Sequence, residues 1–239
     1  MNYALIFAGG VGERMHSNGI PKQFLEVFGK PIIVYTIEHF QKHKEIDSIT
    51  VVCVNSHIKL MKLLIQHYNL SKVSSVIPGG ASGQESIRNG LLEIGKEAAD
   101  DDIILIHDGV RPIIDEDLIS KNILSVRQYG SAISSSHAAE TICLAKEYGI
   151  INNILPRQEC IIAKAPQSFR YHDIMTCHQK AVKEGFTEAT DSASLMQHYN
   201  YNLHYVVCST SNIKITTPID YYLFKGILNA QESMQIIGI

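Results

Sequence analysis

Residues 4–15, ALIFAGGVGERM, hold an apolar run that breaks into Gly9, Gly10 and Gly12 and closes on Arg14. The run has no polar alternation, so it predicts a strand covered on both faces, with a tight turn leaving its carboxyl end. A dinucleotide fingerprint, G-x-G-x-x-G, would need a third glycine where Met15 stands. A P-loop would need Gly-Lys-Ser/Thr, but Gly29-Lys30 runs into Pro31. What remains is a glycine loop with a cation built into it. Its backbone N–H groups can converge on phosphate oxygens, and Arg14 together with Lys22 can add charge-assisted bonds to the same anion. That combination suits a triphosphate.

Working outward, apolar and amphipathic runs take turns. Strand-like residues 3–8, 48–54, 73–77 and 102–107 alternate with helix-like residues 31–43, 57–68 and 84–96, and Asp115 opens a further helix. This is β-α-β repetition, which predicts an α/β fold with a mostly parallel sheet flanked by helices. Ligands of such sheets sit beyond the carboxyl ends of the strands. AGGVGERM, PGGASGQES and HDGVRP each follow a predicted strand and therefore fall at that edge. Beyond residue 131 the segments shorten to SAISSS, ETICLAK, GIINNIL and CIIAKAPQSF, which look like hairpin material. Helices at 171–183 and 191–198, a strand at 203–207 and a helix after Pro218 bring the chain back. No linker, repeat or low-complexity run separates the halves, so residues 1–239 are expected to form one domain.

Composition narrows the class of partner. With 21 Lys+Arg against 24 Asp+Glu the formal charge is −3, which excludes the global basic field used by non-specific nucleic-acid binders. Any anion site must be local. No apolar stretch approaches the roughly 20 residues of a membrane span, and the amino terminus has no basic leader, so a cytoplasmic protein is expected. Cys53, Cys143, Cys160, Cys177 and Cys208 are odd in number, far apart and without a C-x-x-C pair, which predicts reduced thiols that mostly pack.

In LIHDGVRP, Asp108 ends a buried strand in a carboxylate placed to hold a divalent metal by oxygen ligation; a helix cap or an ion pair to Arg111 is the other reading. His107 reads as a hydrogen-bonded residue with no chemical role. His39 and His43 form an i, i+4 pair without a companion carboxylate motif, and a solvated helix face accounts for them.

Taken together, AGGVGERM, PKQF, HDGVRP, APQSF, TDSAS and SNIKIT occur in the order and spacing of the cytidylyltransferases that act on 2-C-methyl-D-erythritol 4-phosphate and on ribitol 5-phosphate, and the chain resembles that family along essentially its whole length. The resemblance implies a Rossmann-like nucleotidyltransferase fold, a magnesium ion, and a homodimer whose protruding β-arms, here residues 137–157, interlock. It implies that Ala8, Gly9, Gly10, Gly80 and Ser86 surround the cytidine nucleotide, with Arg14 and Lys22 on its phosphates, Asp108 on the metal and Lys214 near the α-phosphate. It further implies an acceptor-phosphate site involving Thr141, Arg111 and an Arg157 that reaches in from the partner's arm.

Two departures stand out. Gly83 replaces an arginine usual in the family, and Ala165 replaces the threonine of TPQ, removing a hydroxyl near the acceptor phosphate. HDGVRP and PKQF lean toward the ribitol-phosphate branch. The expected reaction is transfer of a cytidylyl group from CTP to a polyol phosphate, with no nucleic acid or membrane involved. The rival readings are a nucleotidyltransferase for another sugar phosphate and a non-catalytic nucleotide-binding protein.

Overall fold

The structure of the chain, a computed structural model, describes residues 1–9 and 20–237, with side chains of the last helix as far as Ser233. Gly10 and Arg14 lie outside the described residues. In chain order the elements are β1 (Asn2–Ala8), β2 (Glu26–Val27), β3 (Lys30–Pro31), α1 (Ile32–Lys42), β4 (Ser48–Cys53), α2 (Ile58–His67), β5 (Val73–Pro78), α3 (Gly83–Ile94) and β6 (Ile103–Asp108). They continue with α4 (Glu116–Tyr129), β7 (Ser131–His137), β8 (Cys143–Ala145), β9 (Ile151–Ile154), β10 (Ile161–Arg170), α5 (Tyr171–Glu184), α6 (Ser192–His198), β11 (Tyr205–Val207) and α7 (Pro218–Ile237).

Seven strands form one sheet in the order β11-β7-β10-β6-β1-β4-β5. Every neighbouring pair in it is parallel except the two made by β10, which runs antiparallel to both β6 and β7. The unbroken apolar pattern of β1 has a direct cause. Ala4 and Ile6 face a layer built on Ile33, Ile37 and Phe40 of α1, while Tyr3 and Leu5 face one built on Leu91 of α3 and Ile174 of α5. A strand buried on both faces has no position for a polar side chain.

The chain leaves β1 outward through β4 and β5, then returns to β6 on the other side of β1. The order therefore reverses between β1 and β6, and the crevice beyond their carboxyl ends is where an open α/β sheet takes its ligand. Phe7 of β1 pairs with Asp108 of β6 there. A Cβ on Gly109 would lie 2.9 Å from that of Ala8, so the turn after β6 can pass only as glycine.

Two expectations are corrected. SAISSS is a buried strand of the main sheet, with residues 131–136 all buried, so the excursion begins at the end of β7. Its serines are tolerated because Asn122, fully buried on α4, donates to Ser134 Oγ (3.0 Å) and accepts from Ser168 Oγ (3.0 Å). His39 and His43 do not lie on a solvated face. His39 Nε2 donates to the Pro112 carbonyl (3.0 Å), and His43, 4% exposed, sets Nε2 2.9 Å from Ser120 Oγ. They tie α1 to the segment that follows β6. The five thiols are free, with Cys143 exposed on the excursion.

Two buried histidines make the fold acid-sensitive. Burial pushes His107 down to about 3, and burial followed by repulsion from Arg88 pushes His178 down to about 4. Both folded values lie below the unfolded one near 6.5, so between those limits the unfolded chain binds more protons and stability falls as pH drops. Each histidine costs about 1.4 kcal/mol one unit below pH 6.5. Urea unfolding at pH 7.5 and pH 5.5 is expected to differ by about 3 kcal/mol, and His178→Asn to remove about half of that difference. Equal stability at the two pH values would show that neither imidazole is held neutral.

Candidate active site

Two loops meet at the carboxyl edge of the sheet. A Cβ on Gly9 would lie 3.0 Å from Ser86 Oγ, and one on Gly79 would lie 3.0 Å from the same oxygen and 3.4 Å from Gly9 Cα. The backbones thus approach closely around one hydroxyl, which only glycine allows. Gly80 N–H donates to Ser86 Oγ (3.0 Å), and that hydroxyl donates to the Ser82 carbonyl (2.8 Å). Ser82 itself caps α3 by accepting from Glu85 N–H. The structure therefore brings Gly9, Gly80 and Ser86 together. Ala8 joins them through Gln23, which is 1% exposed and donates to the Ala8 carbonyl at 2.7 Å. That bond ties PKQF, with a half-buried Lys22, to the end of β1.

Across the crevice, Asp108 is buried with both carboxylate oxygens engaged. Lys214 Nζ lies 2.5 Å from Oδ1, and Arg111 Nε donates to Oδ2 at 3.2 Å. Burial alone would raise the Asp108 pKa, but Lys214 and then Arg111 outweigh it, and the carboxyl is held below its ordinary value. The ion-pair reading of Asp108 is thus realised twice over. Arg111 Nη1 donates to the Asn212 carbonyl (2.9 Å), and Asn212 Nδ2 donates to the Ala165 carbonyl (2.8 Å). One buried amide therefore ties together the turn after β6, strand β10 and the loop that carries Lys214.

A cavity of about 370 Å³ opens beside this cluster, with Asp108, Arg111, Lys164 and Lys214 at its charged end. Ala165 and Gly83 also line it, and a Cβ at Gly83 would meet nothing within 4 Å. A larger residue fits at that position.

Thr141 and Arg157 are not brought to this cavity within the chain. Both are exposed on the excursion between β7 and β10, where Arg157 Nη1 donates to the Ala139 carbonyl at 3.4 Å. The excursion carries a two-stranded ribbon, β8 against β9, with Leu144, Ile150, Ile151 and Ile154 exposed by 45–59%.

Reading the sequence missed several residues that the fold places here. Lys164 lines the cavity half-buried, its Nζ donating to the Thr210 carbonyl (3.0 Å) and its pKa lowered by burial. Gln167 donates to Asp191 Oδ2 (2.8 Å) and accepts from Ala193 N–H (2.9 Å), fastening α6 to β10. Asp191 caps α6. These residues, like Asn212, sit in motifs whose spacing is visible in the chain, but the contacts that give them a role span 24 to 101 residues.

The residues present fit a magnesium ion. Mg²⁺ is commonly held by one or two carboxylates plus substrate phosphates; Asp108 offers one carboxylate, and among the described residues no group of three His, Cys, Asp or Glu side chains would hold a metal without such phosphates.

Residues 3–230 match the profile of the IspD family, described as 2-C-methyl-D-erythritol 4-phosphate cytidylyltransferase. A ribitol-5-phosphate cytidylyltransferase of Streptococcus agalactiae serotype Ia is 49% identical over 238 residues, covering 100% of both chains. A 2-C-methyl-D-erythritol 4-phosphate cytidylyltransferase of Clostridium botulinum strain 657 is 37% identical, covering 95% of this chain and 97% of its own. The fold is that of the crystal structure of 4-diphosphocytidyl-2C-methyl-D-erythritol synthase from Anaerococcus prevotii, with a TM-score of 0.82 and 24% identity over 95% of this chain and 96% of that one. With the glycine cradle and the clamped Asp108 at the switch point of the sheet, and with similarity running end to end, the chain belongs to the 2-C-methyl-D-erythritol 4-phosphate cytidylyltransferase family.

Proposed function

We propose that this chain transfers a cytidylyl group from CTP to a polyol phosphate, releasing pyrophosphate and a CDP-linked polyol. Ribitol 5-phosphate is the favoured acceptor, and 2-C-methyl-D-erythritol 4-phosphate is the alternative. The observation that carries this reading is the Asp108 carboxylate buried between Lys214 and Arg111, across the crevice from the contact of Gly9, Gly80 and Ser86. The acceptor preference is supported by the 49% identity with the relative named for ribitol 5-phosphate, against 37% with the one named for 2-C-methyl-D-erythritol 4-phosphate. The test is pyrophosphate release with each nucleoside triphosphate against a panel of phosphorylated polyols. CTP with ribitol 5-phosphate should give the highest kcat/KM, and a preference for UTP or dTTP would overturn the reading.

A phosphate monoester has its second pKa at about 6, so the acceptor is largely dianionic at neutral pH and needs no general base. An acceptor phosphate oxygen attacks the α-phosphorus in line; the new P–O bond forms as the bond to pyrophosphate breaks. The work of the protein is to bring two anions together and to stabilise charge growing on the α-phosphate and the leaving group. In this reading Ala8, Gly9, Gly10, Gly80 and Ser86 hold the nucleotide, and Arg14 and Lys22 hold its outer phosphates. Lys214 turns from Asp108 toward the α-phosphate, while Arg111 meets the acceptor phosphate. Asp108 would hold Mg²⁺, which when bound supplies charge neutralisation at the triphosphate. Free thiols and a CTP substrate fit a cytoplasmic setting.

The reading takes residues 1–239 as one catalytic domain, with residues 137–157 as its dimerisation arm. Exposed Leu144, Ile150, Ile151 and Ile154 on a two-stranded ribbon are an apolar edge that a second copy of the chain would cover. Thr141 and Arg157 then reach the partner's acceptor phosphate rather than their own. Mixing Arg157→Ala subunits with Lys22→Ala subunits should regenerate one intact site per heterodimer and recover up to about half of the parent activity per heterodimer. No recovery despite demonstrated subunit exchange would place Arg157 in its own subunit's site or in none.

A further inference from the structure

The turn that carries Arg111 is gripped by its carbonyls. Thr36 Oγ1 donates to the Gly109 carbonyl (3.2 Å), Ile215 N–H to that of Val110 (2.8 Å), His107 Nε2 to that of Arg111 (3.0 Å) and His39 Nε2 to that of Pro112 (3.0 Å). Four successive carbonyls are thus held, three of them by side chains. A carbonyl only accepts, so both imidazoles carry their proton on Nε2. Burial lowers the pKa of each and favours that neutral form. Thr36 and His39 stand three residues apart on α1 and share one of its faces. Phe40 of the same helix lies against the His107 ring, with centroids 5.1 Å apart.

Pairing is needed here in any case, since Val110 is 5% and Arg111 8% exposed and a buried carbonyl without a partner is costly. His107 does not solve that problem cleanly. Its Nδ1 is buried with no hydrogen-bond partner among the described residues. An apolar side chain at that place would spare Nδ1 but free the Arg111 carbonyl, so one unpaired atom is exchanged for another and stability alone gives no reason for a histidine. The direction of the Arg111 peptide does give one. A rotation of that peptide swings the Cα–Cβ bond, and a side chain as long as arginine magnifies the swing at its guanidinium. That group spans Asp108 Oδ2 and the Asn212 carbonyl, and its Nη2 makes no hydrogen bond among the described residues. Thr36, His39 and His107 do not line the cavity beside Asp108; His39 borders a separate one with Pro112 and Asn212.

Resting on the proposed function, in which Arg111 meets a substrate phosphate, we infer that Thr36, His39 and His107 are positioning residues, which touch no substrate and set the reach of Arg111 by fixing the peptide planes around it. Helix α1 thereby acts on the reaction from beneath the turn, through hydrogen bonds to backbone.

Thr36→Val removes the hydroxyl and keeps the shape. The kcat/KM for ribitol 5-phosphate is expected to fall by about 3- to 10-fold, the weight of one ordinary hydrogen bond, with KM for CTP unchanged. His39→Leu should act in the same direction. Thr36→Ser and His39→Gln keep a donor and should restore most of the parent value. In an Arg111→Ala background Thr36→Val should cost no further factor, because a residue that works through Arg111 has nothing left to position. The same loss in that background, or a loss that raises the KM of both substrates alike, would show that the carbonyls are paired for stability only. Parent kinetics in folded Thr36→Val and His39→Leu proteins would show the same. Each of these results overturns the inference and leaves the proposed function standing. A parent protein that releases no pyrophosphate from CTP and ribitol 5-phosphate overturns both.

Discussion

Asp108→Asn is expected to lower kcat by at least about 10³-fold while leaving the protein able to bind CTP. Asparagine keeps the shape and can still accept from Arg111 Nε, but it removes the one negative charge that two cations share. In the proposed reaction that charge orients Lys214 and Arg111 and supplies the carboxylate for magnesium. The same substitution should be visible in stability. Arg111 is buried, 9% exposed at its side chain, and loses its counter-charge, whereas Lys214, 41% exposed, can relax into water. An uncompensated buried charge costs about 3 kcal/mol. For a chain of this size that lowers the melting temperature by roughly 6–12 °C. Kinetics must therefore be measured well below the variant's melting point. Near-parent kcat in a folded Asp108→Asn protein would reduce the carboxylate to a structural ion pair.

Lys214→Ala is expected to cost about 10² to 10³ in kcat, the usual weight of one group aimed at developing charge, with a small change in stability because the lysine is partly solvated. Its more specific signature is in the pH dependence. Burial pushes the Asp108 carboxyl up, and Lys214 pulls it back down more strongly than Arg111 does. Without Lys214 the carboxyl must titrate at higher pH. The ionised form is the one the reaction uses, so the acid limb of the residual activity should move upward. An unmoved acid limb would show that Asp108 and Lys214 do not share the site in the working enzyme, whatever the loss of rate.

Much of this fold can be read along the chain. The runs that became β1, β4 and β6 are apolar without alternation because helices cover both of their faces, and that pattern survives in the letters alone. The loops that follow β1, β5 and β6 were expected at one edge of the sheet, and Gly9, Gly80 and Asp108 lie there. The Ser-rich β7 was less legible. Along the chain it reads as hairpin material, yet it is a strand of the main sheet with all four serines buried, since Asn122 on a neighbouring helix satisfies Ser134 and the sheet pairs the backbone. His39 and His43 were misread for the same reason, because their acceptors belong to a segment 73 residues away.

By itself, the sequence determined the β-α-β order, the chemistry of each loop and membership of the family, since hydropathy periodicity, glycine placement and motif spacing are local properties. Only the tertiary structure decided that Asp108 is shared by Lys214 and Arg111, that Asn212 locks Arg111 to a segment 101 residues away, and that Lys164 joins Asp108 and Lys214 at one cavity. The physical reason is the sheet order. A carboxylate's partners, a serine's burial and a cavity's lining are set by which segments the crossovers bring within a few ångströms, and no local pattern in the chain encodes that distance.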